Sequence, residues 1–155
     1  MAEDNVTMYG VQLIFRNFRG EEGKYNQAGQ RNFAVLLDEQ IAHDLAADGW
    51  PVKWLEPRDE EEEQHPQAYL PVAMKYDKGR PPRVVMITSQ GKRNLEENEV
   101  EDLDWVRMSN VDMIVRPYNW DVNGKQGVKA YLQSIYVTIE EDELELKYAE
   151  VANQR

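Results

Sequence analysis

Between residues 110 and 139, apolar and polar positions alternate as they do on strands with one buried face. The alternation is interrupted at Asn123-Gly124, the dipeptide best suited to the positive φ angles of a two-residue hairpin turn. A turn at that point pairs Val122 with Lys125, Trp120 with Gly127, Tyr118 with Lys129, Arg116 with Tyr131 and Val115 with Leu132. One face of the ribbon then carries Arg116, Tyr118, Trp120, Lys129, Tyr131 and Gln133. The other carries Met113, Val115, Pro117, Val128, Ala130 and Leu132, and suits a core.

The rest of the chain is patterned more weakly. Residues 1–7 read as loose and polar. Tyr9, Val11, Leu13 and Phe15 alternate as one face of a strand, and 32–37 form a short apolar strand. Asp38 is placed to cap a helix with an Ile41, Ala42, Leu45 and Ala46 stripe, stopped by Gly49. Strands are predicted over 51–55, 69–76 and 83–88, the last led in by Pro81-Pro82. Gly91-Lys92-Arg93 reads as a basic corner. One or two helical turns are predicted within 95–105, anchored by Val100 and Leu103, with Trp105 as a further candidate. Leu144, Leu146 and Tyr148 suggest a short docked element near the end. Short strands with one helix predict a mainly β fold: a small closed or partly open barrel with one principal helix and long loops. At 155 residues, 1–155 reads as one domain.

Composition narrows the chemistry. The chain has no cysteine, which excludes disulfides and thiolate metal sites. No apolar run approaches the roughly 20 residues of a membrane helix, and no secretory signal is visible. The expectation is a soluble, intracellular protein. The net charge of −11 argues at first against a polyanion partner. The charge is uneven, however. Segments 56–67, 94–113 and 140–155 hold 19 of the 29 acids and 4 of the 18 bases, which leaves 10 acids and 14 bases elsewhere. Local potential matters more than the total, because screening sets in over about 8 Å at physiological salt. The acid run at 59–63 lies within an inserted loop, as a solubility feature or as a lure for basic proteins.

Two stretches interleave rings and cations, the combination that holds single-stranded nucleic acid by stacking and phosphate contacts. The hairpin offers Arg116, Tyr118, Trp120, Lys125, Lys129 and Tyr131. The glycine-bearing loop 16–33 offers Arg16, Phe18, Arg19, Lys24, Tyr25 and Arg31, and Lys53 is a further candidate. The same rings also suit an ordinary wet strand face, and the loop also suits a flexible connection. The loop glycines do not form a phosphate-binding P-loop. His43 falls off the helix stripe and takes no role. Acids in runs rather than converging pairs argue against a metal nuclease. No catalytic residue, metal site or cofactor is predicted. An acidic interaction protein or DNA mimic is the alternative, disfavoured by the cations on the hairpin's ordered face.

The segments IFRNFRG (14–20), Asn32-Phe33, DGWPVKWLEP (48–57), RPPRVVMITSQGK (80–92) and VRPYNWDVNGKQGVKAYLQSIYVTIEEDELE (115–145) together resemble a family of tailed-phage single-stranded DNA-binding proteins with an OB-fold core. The resemblance covers about residues 10–148. It implies an OB-type barrel, single-stranded DNA as ligand, and service in phage DNA replication, recombination or repair in the host cell cytoplasm. Phage replication or recombination proteins are expected as partners, and a monomer or homodimer as the assembly. Many replication-type single-strand binders end in an acidic tail with a terminal aromatic residue; here acids occupy 140–145 but the sequence ends in Arg155.

Overall fold

The computed structural model describes residues 2–24, 26–55, 67–77, 79–142, 144 and 147. Two strands of 15 residues dominate it: β8 (Met108–Val122) and β9 (Lys125–Ile139). They form the predicted antiparallel hairpin, with Val122 facing Lys125, Trp120 facing Gly127 and Arg116 facing Tyr131. Asn123 and Gly124 both have positive φ, at 51° and 80°, as a primed turn requires.

The other strands are β1 (Val6–Met8), β2 (Leu13–Asn17), β3 (Arg31–Leu37), β4 (Lys53–Leu55), β5 (Gln67–Met74), β6 (Arg83–Thr88) and β7 (Gly91–Leu95). The main sheet path runs β1-β8-β9-β5-β3-β2, with β4 on β5 and the β6–β7 hairpin on β9. Strand β9 is the hub. One edge pairs with β8; the other meets β5 at Tyr131, then β6 from Ser134 to Thr138. The segment leading into β2, at one end of the path, also meets β8 near the other end. Val11 N–H donates to the Val111 carbonyl at 3.0 Å, and Gly10 N–H to the Asp112 carboxylate at 2.8 Å. The sheet is thereby curled into a barrel around one apolar core.

A bulge in β9 makes that core continuous. Val115 faces Leu132 but Ile114 faces Ser134, so Gln133 is an extra residue. Before it, Val128, Ala130 and Leu132 point inward; after it, Ile135 and Val137 do. They meet Val111, Met113 and Val115 of β8, all buried. A strict period of two along β9 would have turned one half of this set to solvent.

Helix α1 (Glu39–Ala47) starts as expected. Asp38 accepts the Ile41 N–H at 2.9 Å, and Gly49 leaves the helix at φ 96°. Its buried face is narrower than the predicted stripe: Ala42 and Leu45 are buried, while Ile41 and Ala46 are exposed. A 3₁₀ turn (Val100–Asp104) buries Val100 and Leu103 but leaves Trp105 at 70% exposure.

Several local expectations change. Val6 and Thr7, expected to be loose, pair together with Met8 along Met113, Ile114 and Val115 of β8, using an edge the hairpin leaves open. Tyr9 and Phe15, which alternate with Val11 and Leu13 in the predicted strand, are both exposed. The basic corner at Gly91-Lys92-Arg93 is part of strand β7. Most of the acidic loop, 56–66, lies outside the described residues, as do Leu146 and Tyr148; Leu144 is exposed.

Phe18 is the main correction to the loop. Expected on a wet surface, it is fully buried and stacks on Phe33 with ring centroids 5.1 Å apart. Its N–H and that of Arg19 donate to the Asp104 carboxylate at 2.7 and 3.0 Å, pinning the loop to the 3₁₀ turn. Phe18→Ala should therefore lower the unfolding free energy by about 3–5 kcal/mol, measured by chemical denaturation. An exposed loop residue would move it by no more than about 0.5 kcal/mol.

Candidate nucleic-acid interface

The outward face of the hairpin collects cations around one ring. Tyr131 is 8% exposed and sits under Tyr118, with centroids 5.5 Å apart and planes tilted by 51°. Lys75 Nζ lies 5.4 Å from the Tyr131 centroid, Lys129 Nζ 5.6 Å and the Arg116 guanidinium 5.8 Å. Lys75 is also 6.0 Å from the Tyr118 ring. At such distances the negative ring face attracts each cation by roughly 0.5–1 kcal/mol at an exposed site. Tyr131, expected to be an open plate, is instead a covered post that gathers these side chains. Tyr118, 51% exposed, is the plate that solvent reaches.

The sequence reading missed Lys75. It continues the outward series Tyr69, Pro71 and Ala73 along β5, and Ala73 faces Tyr131. The alternation of that strand held the signal, but only the β5–β9 pairing brings Lys75 to the hairpin.

Two hollows meet at Lys75 and Tyr131. One, about 300 Å³, is lined by Gly79, Arg116, Pro117 and Tyr118 besides those two. The other, about 420 Å³, continues toward Gly29, Arg31, Tyr76 and Lys129. Together they form a groove with Arg31, Lys75, Arg116 and Lys129 on its walls and Asp77 and Glu97 on the side of the larger hollow. The Tyr76 hydroxyl and Arg31 Nε are buried beside it without a hydrogen-bond partner. Burial raises the Tyr76 phenol from 10.0 to about 12, partly offset by the nearby Arg31 charge.

The remaining candidates divide. Trp120 is half-buried against Gly127, where a Cβ would lie 2.6 Å from its Cε2, so only glycine leaves the ring its seat. Lys125 and Lys129 are exposed on β9, and Lys53 on β4. In the 16–33 loop the guanidiniums are engaged within the fold. Arg16 donates to the Leu103 and Val106 carbonyls at 2.9 and 2.7 Å. Arg31 donates to the Phe18 carbonyl at 2.5 Å and lies 3.8 Å from Glu97. Arg19 pairs with Glu21 and stacks 4.9 Å from the Trp105 ring. The loop is also tied to itself: Gly29 N–H donates to the Gly20 carbonyl at 2.8 Å, and Asn26 Nδ2 to the Glu21 and Gln30 carbonyls at 2.8 and 3.0 Å. Instead of an open wrap, it is a braced buttress. Lys24 lies on its exposed tip, and Tyr25 lies outside the described residues. Among the described residues no group of acids and histidines could hold a metal ion, and no helix is long and apolar enough to cross a membrane.

The sequence and the fold both match known proteins. Residues 1–154 match the family described as "Putative phage ssDNA-binding domain". The chain belongs to that phage single-stranded DNA-binding family. Members are non-catalytic binding proteins. Among solved structures, the single-stranded DNA-binding protein from bacteriophage Enc34 in complex with ssDNA superposes with a TM-score of 0.57 at 10% identity, covering 89% of this chain and 88% of that one. A C-terminal truncation of the Enc34 protein gives 0.56 at 12%, covering 89% and 87%. At such identity the likeness carries the fold, the mainly β OB-type barrel that this family shares. No curated protein matches the chain.

Two measurements test the geometry. The raised Tyr76 pKa favours the neutral phenol in the folded state. Its contribution to stability is intact below pH 10.0 and is lost as pH rises toward about 12. Tyr76→Phe should flatten the alkaline limb of the unfolding midpoint across that window. Gly127→Val should expel the Trp120 ring, seen as a red shift in tryptophan emission with the barrel's far-UV signal retained.

Proposed function

We propose that the protein coats and protects single-stranded DNA during phage DNA replication, recombination or repair, with little sequence preference. The observation that carries this reading is the cluster on the hairpin: Lys75, Arg116 and Lys129 around Tyr131, beneath the open ring of Tyr118. Bases stack on any exposed ring because every base has a π face, while cations beside it meet the phosphates. Such a site reads the unpaired state rather than the sequence. A duplex keeps its bases stacked on one another and offers the ring nothing. The Enc34 protein, which shares the fold, was solved with ssDNA bound, and family membership supports the same ligand class here.

The acidic total is compatible with this role. Among the described residues the smaller hollow is lined by Lys75 and Arg116 and by no acid, while the larger sets Arg31, Lys75 and Lys129 against Asp77 and Glu97. Of the sequence candidates, Arg116, Tyr118, Lys129 and Tyr131 form the centre of the proposed site, with Lys75 added. Trp120 and Lys125 extend it along the hairpin. Arg16, Phe18 and Arg19 act through the fold rather than on DNA.

Tyr118→Ala should weaken binding of oligothymidine by about 1–3 kcal/mol. Lys75→Ala should weaken binding to all sequences alike and lower the slope of log K against log salt by about 1. Both are measured by fluorescence anisotropy across a salt series, with duplex of equal length as the comparator. Unchanged affinity in both variants, or a preference for duplex, would sink the reading.

A further inference from the structure

The groove-side face does not end at Tyr131. In register, Tyr131 faces Ala73 on β5, Ala73 faces Asn32 on β3, and Pro71 faces Ala34. The same outward series on β5 reaches Tyr69, which faces Leu36 on β3 and Lys53 on β4. Ala73 and Pro71 thus floor the stretch of β5 between an aromatic group at each end. Tyr69 is four residues from Ala73, or about 13 Å along the strand.

At the far end Phe15 lies edge-on to Tyr69, with centroids 5.5 Å apart and planes at 77°. Phe15 is 60% exposed and has φ 52°. A bulky residue in the left-handed region is an outlier, and such strain gathers at functional positions. The cause is the register shift in β2 between Ile14 and Asn17. A bulge re-aims a side chain. Without it the alternation would continue from Leu13 and turn Phe15 inward. The backbone is therefore held in a costly conformation that keeps a large apolar ring in water, and nothing in the core needs it there.

We propose that Phe15 and Tyr69, with Lys53 beside them, form a second base-stacking station for the same single strand. It rests on the reading of the hairpin as the primary station. A strand anchored on Tyr118 would cross the half-buried Ala73 and Pro71 and set a later base on the Phe15 ring, with Lys53 meeting a phosphate. Small residues between the plates give the backbone room to lie close to the sheet. The hairpin end, with Lys75, Arg116 and Lys129, holds a short oligonucleotide more tightly than the Phe15 end, which has Lys53.

The test uses the full chain, oligothymidine of about 4 and about 16 nucleotides, the range of site sizes for one OB fold, and the variants Phe15→Gly, Phe15→Trp and Tyr118→Ala. Glycine removes the ring and accepts the positive φ, so thermal unfolding should be unchanged or shifted upward. Phe15→Gly should weaken the long oligonucleotide by about tenfold, the effect of one lost stack, and leave the short one unchanged. Phe15→Trp should restore long-oligonucleotide affinity. Tyr118→Ala should weaken both lengths. If Tyr118→Ala weakens both but Phe15→Gly changes neither, the second station is wrong while the primary site stands, and the exposed pair is then a surface for a protein. If Phe15→Gly weakens both lengths equally, or Phe15→Trp fails to restore binding, the two-station path is also wrong. Failure of the wild type to bind either length overturns both readings.

Discussion

Strand β9 is hydrogen-bonded along both edges, and this double pairing constrains everything around it. A strand so placed cannot slide without breaking ladders to β8, β5 and β6 together. Its inner side chains must fill the barrel and its outer ones must face water. The extra residue at Gln133 lets one continuous strand do both over 15 residues. It also fixes Tyr131 opposite Ala73, and that contact brings Lys75 from a separate strand into the hairpin's cluster. Fold and candidate site therefore rest on the same ladder.

Charge follows a similar logic of position. The candidate cations on the hairpin differ from those of the 16–33 stretch. Some sit on strands whose outer face is open, and their ammonium or guanidinium groups surround rings without being closed off by carbonyls. Others, in the 16–33 loop, donate to main-chain carbonyls that have no strand partner: Arg16 to Leu103 and Val106, Arg31 to Phe18. Buried carbonyls must be satisfied, and a long guanidinium reaches them where no ladder does. Sequence composition treats the two classes as equal. Their chemistry differs, because a guanidinium committed to the fold is costly to recruit to a phosphate.

The aromatic residues divide in the same way. Phe18 and Tyr131 come from stretches that read as surface, yet both are buried: one packs on Phe33, the other lies beneath Tyr118. Phe15 shares the alternation of Leu13, whose partner Val35 is buried, yet a bulge exposes it. In each case a single-residue change of parity or one tertiary neighbour reverses the assignment.

The sequence alone determined the hairpin, its turn and its pairing, because Asn123-Gly124 sets the register through backbone sterics that act within four residues. It determined the Asp38 cap for the same local reason, and it determined the family, whose segments recur in order along the chain. Tertiary structure decided what no local rule carries. The bulges at Gln133 and after Ile14 relieve mismatches between strands distant in sequence. The pairing of β1 with β8 satisfies an edge the hairpin leaves open. The meeting of Lys75 with Tyr131 requires β5 and β9 to lie side by side. Side-chain alternation is a property of one strand, whereas which rings and charges share a face depends on several strands closing around a common core.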